Sequence, residues 1–421
     1  MKHLFLFTIS PVQSFIAQAR KTQDLYAGSK FLSDLMKFAH EFISENDPNA
    51  EIIFPQLPSK EDKNHEKVSA THRILAIIEN TNICKNLEDK IKEEFINIAK
   101  QIKTINDNFS LCKPQLNDLL QIYWVAKEME NDNFNYKEIE RLLGAVKNVR
   151  AFNQFAEKGR KCSLCGERNV KFYRKNDKEK GSDKNSIIDK KLFDPNVLFL
   201  ENDKEDDSTF NKLDAGEGIC AVCAVKRFQN ESFPSTAEIA LSNVLKDEKG
   251  KYLDYWKDYK VLFSGGKDFE EQLIFPENLT EKYFLKHGLE RVLKSTGLEQ
   301  IKKHQKEIFK DKCLTKYYAL LKFDGDSMGK LMSGDLFINE KEDLKNFQKE
   351  VSKLLSTFAL EAKNYLDNSN YGKTIYAGGD DFLAFINLNY LFEVLKYLRQ
   401  KFNNDINLKT RDKISKDFTF S

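Results

Sequence analysis

The sequence predicts an α+β protein in three parts. These are an α+β sandwich over residues 1–155, a mainly helical region over 156–315, and a ferredoxin-like unit over 316–421. Three observations carry this reading. Strands and amphipathic helices alternate at the N-terminal end, and the C-terminal end reads β-α-β-β-α-β. Between them stand two Cys-x-x-Cys pairs.

Composition sets the frame. The 421 residues are 41% hydrophobic, which excludes a disordered chain. Lys plus Arg total 67 against 65 Asp plus Glu, a formal charge of +2, so polyanions are not bound by bulk charge. No apolar run reaches the roughly 18–20 residues of a membrane span. The opening MKHLFLFTISPVQSF lacks a small-residue cleavage site and is not read as a signal peptide. A cytoplasmic protein with no membrane partner is expected. Seven cysteines, four of them in pairs, suit one metal site plus three structural thiols (Cys84, Cys112, Cys313) in a reducing compartment.

The elements follow in order. HLFLFTI (3–9) is a short apolar strand stopped by Ser10-Pro11. Val12 to Ala19 and Phe31 to Phe42 have helical spacing, with a turn expected at Ala27-Gly28-Ser29. Ile52 to Phe54 and Arg73 to Ile78 read as strands, Lys90 to Ile105 as an amphipathic helix, and Gln121 to Ala126 as a closing strand. Residues 137–160 look helical. The stretches KNDKEKGSDKNSIIDKK and ENDKEDDSTFNK make a flexible charged insertion over about 168–216. Residues 231–312 are mainly helical, broken near Ser264-Gly265-Gly266. YYALLKFD (317–324) is a strand ending in an acid. A helix over 341–367 follows, then strands Lys373 to Ala377 and Phe382 to Asn387 around Gly378-Gly379-Asp380-Asp381. A helix over 389–403 precedes DFTFS, the opening of one more strand, so the last unit reads as incomplete.

The strongest chemical signal is Asp324-Gly325-Asp326 with Gly378-Gly379-Asp380-Asp381. In a βαββ unit the end of the first strand lies beside the hairpin tip, so these carboxylates converge. Such a cluster is costly unless a divalent cation neutralises it, and oxygen-only ligands suit Mg²⁺ or Mn²⁺. Gly378-Gly379 let backbone approach a phosphate or base. The competing reading is an ordinary hairpin turn, because Gly and Asp are common turn residues.

The second signal is Cys162-Ser163-Leu164-Cys165 with Cys220-Ala221-Val222-Cys223. Two knuckles of this kind complete a tetrahedral structural Zn²⁺ site with no open position. The 54 intervening residues exceed the usual spacing, and the charged insertion accounts for the excess. A redox role is the rival reading, without a thioredoxin-like setting to support it. The third signal is Ser10-Pro11-Val12-Gln13, read either as an anion site at a helix start or as a plain N-cap with Pro at N1. None of the six His is followed by Asp or sits in HExxH, and no GxxxxGK[ST] loop occurs.

Taken together, six stretches resemble the large subunit of type III-B CRISPR effector complexes, the Cmr complex. They are SPVQSFIAQARKTQDLYAGSKFLSDL (10–35), KCSLCGE (161–167), ICAVCAVKRF (219–228), FPSTAEIA (233–240), FDGDSMGKLM (323–332) and YAGGDDFLAF (376–385), in the family's order. The resemblance implies two palm domains similar to nucleotide cyclases and polymerases, with ATP bound where they meet. It implies partners: other Cmr subunits, guide RNA and target RNA. Target pairing would switch on synthesis of an adenylylated second messenger, a cyclic oligoadenylate or a conjugate of AMP with S-adenosylmethionine. Carried onto this chain, Asp324, Asp380 and Asp381 would hold the metals, with Asp326 close by and Gly325, Gly378 and Gly379 against the nucleotide. Ser10, Pro11, Gln13, Gly28 and Ser29 would line the nucleotide site. Many relatives begin with an HD nuclease domain and continue past the second palm. This chain starts at the first palm and stops within the second, so DNA cleavage is not expected of it. A non-catalytic scaffold is the alternative function.

Overall fold

The computed structural model describes residues 1–59, 61–149, 157–175, 193, 195–200, 209, 212–229, 232–267, 269–339 and 343–415. The charged stretches 176–192 and 201–208 and the closing DFTFS strand lie outside the described residues. The chain forms two compact units. The first comprises Met1–Ser232, Ser327–Ser356 and Lys413–Ser415, and the second Phe233–Asp326 and Thr357–Asp412. Among the described residues no helix is long and apolar enough to cross a membrane.

The first unit opens with β1 (His3–Ser10), α1 (Gln13–Ala17), α2 (Thr22–Asn46), β2 (Glu51–Phe54) and β3 (Arg73–Ile78). Then come α3 (Asn82–Lys100), α4 (Lys103–Asp107), α5 (Phe109–Asn117), β4 (Gln121–Glu128) and α6 (Tyr136–Asn148). The antiparallel sheet has the order β2-β3-β1-β4, that of a ferredoxin-like unit. Central β1 is apolar on both faces for a reason. Phe5, Phe7 and Ile9 pack with Phe31, Leu35, Ile91 and Phe95 of α2 and α3. Leu4 and Leu6 pack with Ile139 and Leu143 of α6 on the other face. On α3, Ile83, Leu87, Ile91, Phe95 and Ala99 recur every four residues, the stripe a helix needs to lie on a sheet. Truncating a fully buried Phe such as Phe5 costs about 3–5 kcal/mol.

The expected turn at Ala27-Gly28-Ser29 is absent: all three lie inside the unbroken helix α2. The break falls earlier, between Ala17 and Thr22. Gly28 has ordinary helical geometry, and its missing side chain serves packing instead. A Cβ there would stand 2.9 Å from Cδ of Lys226.

The expected insertion also contains structure. Beta-strands β5 (Phe172–Arg174), β6 (Leu198–Leu200) and β7 (Gly218–Ile219) form a small sheet of order β6-β5-β7, followed by α7 (Ala221–Arg227). The short apolar runs KFY and VLFL supply it: Tyr173, Phe193 and Phe199 form one aromatic cluster. Local charge density masked these runs in the sequence.

The second unit begins with short helices, α8 (Thr236–Ala240), α9 (Ser242–Leu245), α10 (Lys257–Val261), α11 (Glu281–Lys286), α12 (Glu290–Ser295) and α13 (Leu298–Phe309). Trp256, Tyr259, Phe263, Phe275, Phe284 and Phe309 form their core. The chain continues through β8 (Tyr318–Phe323), α14 (Met328–Met332), α15 (Leu344–Asp367), β9 (Gly372–Gly378), β10 (Asp381–Asn387) and α16 (Leu391–Phe402). Of these, α14 and the first part of α15 belong to the first unit. The sheet order β8-β10-β9 repeats the first-third-second order seen in the first unit.

Candidate functional site

The hairpin tip is built by register. Phe382 of β10 pairs with Phe323 of β8, and Asp381 pairs with Gly378 of β9. Phe323 and Phe382 stack at 4.8 Å between ring centroids. The next residues outward are Asp324, just past β8, and Asp381, so antiparallel pairing sets the two acids opposite each other. Gly379 and Asp380 form the two-residue turn. Gly379 takes φ +67°, as a type II′ turn requires of its first residue. A Cβ on Gly378 would stand 2.4 Å from the Tyr376 phenol oxygen, so the phenol and a side chain at 378 exclude each other.

Electrostatics mark the same place. Asp381 is pushed up to about 7 by burial first, then by the charges of Asp380 and Asp324 and a hydrogen bond with Asp324. Burial and the charge of Asp324 push Asp380 up to about 6. The Tyr376 phenol is raised by burial and by both acids. Asp324 and Asp326 are exposed, and Gly325 is half-buried. The sequence expectation that three or four carboxylates crowd within a few ångströms holds only in part. Asp381 meets Asp324, but the acids do not close as a trio. Among the described residues, the four cysteines are the only group of three or more candidate ligands lying within 4.8 Å of one another. The donor set still suits a hard divalent cation, being all carboxylate oxygen.

The cysteines come together across the insertion. Cys162, Cys220 and Cys223 are buried and Cys165 is half-buried. Sγ of Cys165 lies 3.8 Å from Sγ of Cys220. A Zn–S bond of about 2.3 Å gives a tetrahedral edge of about 3.8 Å, so the cluster matches a zinc cage. The knuckle amides of Leu164 and Cys223 each point at a sulfur, Cys162 and Cys220, at 3.4 Å. The two knuckles also bind each other: Ser163 N donates to Gly218 O, and Gly218 N to Ser163 Oγ. The Gln115 side chain of α5 accepts from Ala221 N at 2.8 Å and donates to Glu157 and to Asn169 O, seating the second knuckle.

The first turn falls in the first unit and the acids in the second. Ser10 ends β1 opposite Gln121, Pro11 is half-buried and Gln13 is exposed. Ser10 is not the helix cap: Val12 holds that place, without a side-chain bond. Because α1 has only five residues, its dipole offers little to an anion. Gly28 and Ser29 are buried within α2.

Three important side chains escaped the sequence reading. Lys226 and Arg227 are fully buried beside the second knuckle. Asn387, at the end of β10, donates to Ile239 O and Ala240 O, which fixes the FPSTAEIA segment to the sheet. The one available signal was KR directly after the second Cys pair, in a helix too apolar on all sides to expose them.

Comparison with known proteins adds to this geometry. A family model described as Cas10/Cmr2, second palm domain, matches residues 317–421. A model of the N-terminal region of the CRISPR-associated protein Cmr2 matches residues 4–104. The CRISPR system Cmr subunit Cmr2 of Pyrococcus furiosus is 25% identical over 500 aligned residues, covering 95% of this chain and 54% of that relative. A chain of the type III-B Cmr-beta complex bound to cognate target RNA matches with TM-score 0.63 and 14% identity, over 95% of this chain and 62% of the other. In the apo state of that complex the values are 0.58, 15%, 95% and 61%. At these identities the structural likeness is one of fold. The chain spans little more than half the length of the curated relative.

Proposed function

The chain belongs to the Cas10/Cmr2 family, and from that premise we propose that it serves as the large subunit of a type III-B RNA-guided complex and transfers AMP at the GGDD hairpin. The observation that carries the reading is Asp381 set against Asp324 at the strand end, with Asp380 on the adjoining turn; burial and the charge of neighbouring acids raise both Asp380 and Asp381. On this reading the two sheets of ferredoxin-like order are the two palms, and the Cys₄ cluster holds a structural zinc.

The reaction joins nucleotides. The 3′-hydroxyl of one ATP attacks the α-phosphorus of another; the new P–O bond forms as the bond to pyrophosphate breaks, and the hydroxyl proton passes to solvent. Mg²⁺ or Mn²⁺ at the acids would neutralise them and stabilise charge on the attacking and leaving oxygens. Asp324, Asp380 and Asp381 supply the ligand oxygens, with Asp326 at the rim. The bare backbone at Gly379 on the turn lets a phosphate approach closely, and Gly378 gives its side-chain space to the Tyr376 phenol. Ser10, Pro11 and Gln13 would contact nucleotide from the first unit. Guide and target RNA act through the assembled complex, target pairing switching synthesis on. The product is a cyclic oligoadenylate or a conjugate of AMP such as with S-adenosylmethionine.

The test uses the complex reconstituted with guide and target RNA, given ATP and Mg²⁺ or Mn²⁺ with and without S-adenosylmethionine, and read by mass spectrometry. Product that requires target RNA and disappears in Asp380→Ala/Asp381→Ala is the expected result, and its mass names the acceptor. A second reading, a non-catalytic scaffold, is favoured by the open spacing of the acids. A complex that binds target RNA fully but turns over no ATP with either ion decides for the scaffold.

A further inference from the structure

We propose that Lys226 is a positioning residue that ties the zinc knuckle to the Ser10–Gln18 turn, so that the order of this turn depends on the knuckle. The inference rests on the reading of that turn as part of the nucleotide site only for its consequence on ATP; the tie itself stands on the geometry below.

Helix α7 starts at the zinc cluster. Cys220 is its N-cap and Cys223 lies in its first turn. One turn onward, Lys226 and Arg227 leave the helix toward the N-terminal segment. Lys226 is 0% exposed. Its ammonium donates to the carbonyls of Phe15 and Gln18 and sits 4.7 Å from the centre of the Phe15 ring. Those carbonyls lie at the end of α1, where no further helical N–H is available to them. A buried ammonium is costly unless its donors are used and negative charge is near. Facing it are the Asp24 carboxylate and the sulfurs of Cys223, Cys220 and Cys165. Three of these four are the cysteines whose thiolates would carry the charge of a zinc cage.

The neighbouring residue holds the other side of the elbow. Arg227 Nε donates to Asp24 Oδ1 at 2.6 Å and Nη2 to Asp24 Oδ2 at 2.7 Å. The same Asp24 accepts from the amides of Arg20 and Lys21, which starts α2. Gln18 Nε2 donates to Glu167 Oε1 of the first knuckle at 2.7 Å. Gly28 is the space through which the Lys226 stem passes. Two adjacent cations one helical turn from two cysteines thus fix both helices that flank the break after Ala17. A plug that merely filled volume would need no ammonium, and this difference is testable.

Lys226→Met keeps the stem and removes the donor. In the zinc-loaded full chain, hydrogen exchange read by mass spectrometry on peptides covering residues 10–21 should accelerate at least tenfold, with zinc still at one per chain. Stripping zinc from the wild-type chain should accelerate the same peptides. In the reconstituted complex the KM for ATP should rise with kcat little changed. Gly28→Ala, whose methyl group displaces the Lys226 stem, should reproduce the exchange effect in the wild-type background and add little to Lys226→Ala. Unchanged exchange in Lys226→Met and Gly28→Ala overturns the proposal. Faster exchange with unchanged KM leaves the tie standing and removes the turn from the nucleotide site.

Discussion

Replacing Asp24 by Ala should destabilise the first unit by roughly 3–5 kcal/mol, the usual cost of stranding one member of a buried ion pair. The structure supplies the terms. Asp24 is 0% exposed, and its two oxygens take both Arg227 donors and the amides of Arg20 and Lys21. Its removal leaves Arg227, 1% exposed, with Glu217 Oε2 at 3.0 Å and Lys212 O at 2.9 Å as its remaining partners among the described residues. The start of α2 also loses its acceptor, part of the total and worth about 1 kcal/mol alone. At about 2–4 °C per kcal/mol for a unit of this size, the thermal midpoint should fall on the order of 10 °C. Urea unfolding and calorimetry on the zinc-loaded chain measure this. Asp24→Asn/Arg227→Met, which removes both charges and keeps the volume, should lose less than Asp24→Ala alone. A loss under about 1 kcal/mol for Asp24→Ala, or strict additivity with an Arg227 variant, would refute the reasoning. The pH sign agrees. Burial alone would raise the Asp24 carboxyl, but Arg227 and the two amides hold it below the usual range. Its contribution is therefore present above the unfolded pKa and is lost as pH falls through the folded one.

Other outcomes follow from the same structure. Asp381→Asn should stabilise the metal-free protein at pH 8 while destroying product formation. With Asp381 raised to about 7, its ionisation costs the fold stability as pH climbs from about 4 to 7. The ceiling is about 4 kcal/mol and the partly exposed site brings it to about 1–2 kcal/mol, a gain that urea unfolding should show shrinking as pH falls from about 7 and vanishing below about pH 4. Cys162→Ser or Cys220→Ser should each lose one zinc per chain by elemental analysis and lower stability by several kcal/mol, an intact chain without zinc being the contrary result. Burial first, then the charge of His65, holds His40 down at about 4. Stability should thus be full above pH 6.5 and decline toward pH 4 by up to about 3 kcal/mol, and His40→Gln should flatten that slope in denaturation series at pH 7.5 and 5.

What was legible in the sequence was what neighbours in the chain decide. Strand β1 announced itself by an unbroken apolar run, and a central strand buried on both faces needs one. The hairpin at Gly378 to Asp381 was readable because a two-residue turn with positive φ at its first position selects Gly locally. The Cys pairs were readable because each knuckle is four residues long. Gly28 misled because glycine signals a turn far more often than a close approach, and the atom it makes room for belongs to Lys226, 198 positions away. The small β5–β7 sheet was hidden for a similar reason: three-residue strands carry too little periodicity to stand out among charges.

The sequence by itself therefore determined the chain order of the strands in the first and last sheets, the acids at a strand end and a turn, and the two pairs of cysteines. Tertiary structure decided the rest. It set Asp381 against Asp324 and raised it, closed the cysteines to cage distance across 54 intervening residues, and turned an unremarked Lys-Arg pair into the support of the first turn. The physical reason is that hydrogen bonding and apolar periodicity act over a few residues, whereas the cost of burying a charge depends on partners that only folding brings within reach.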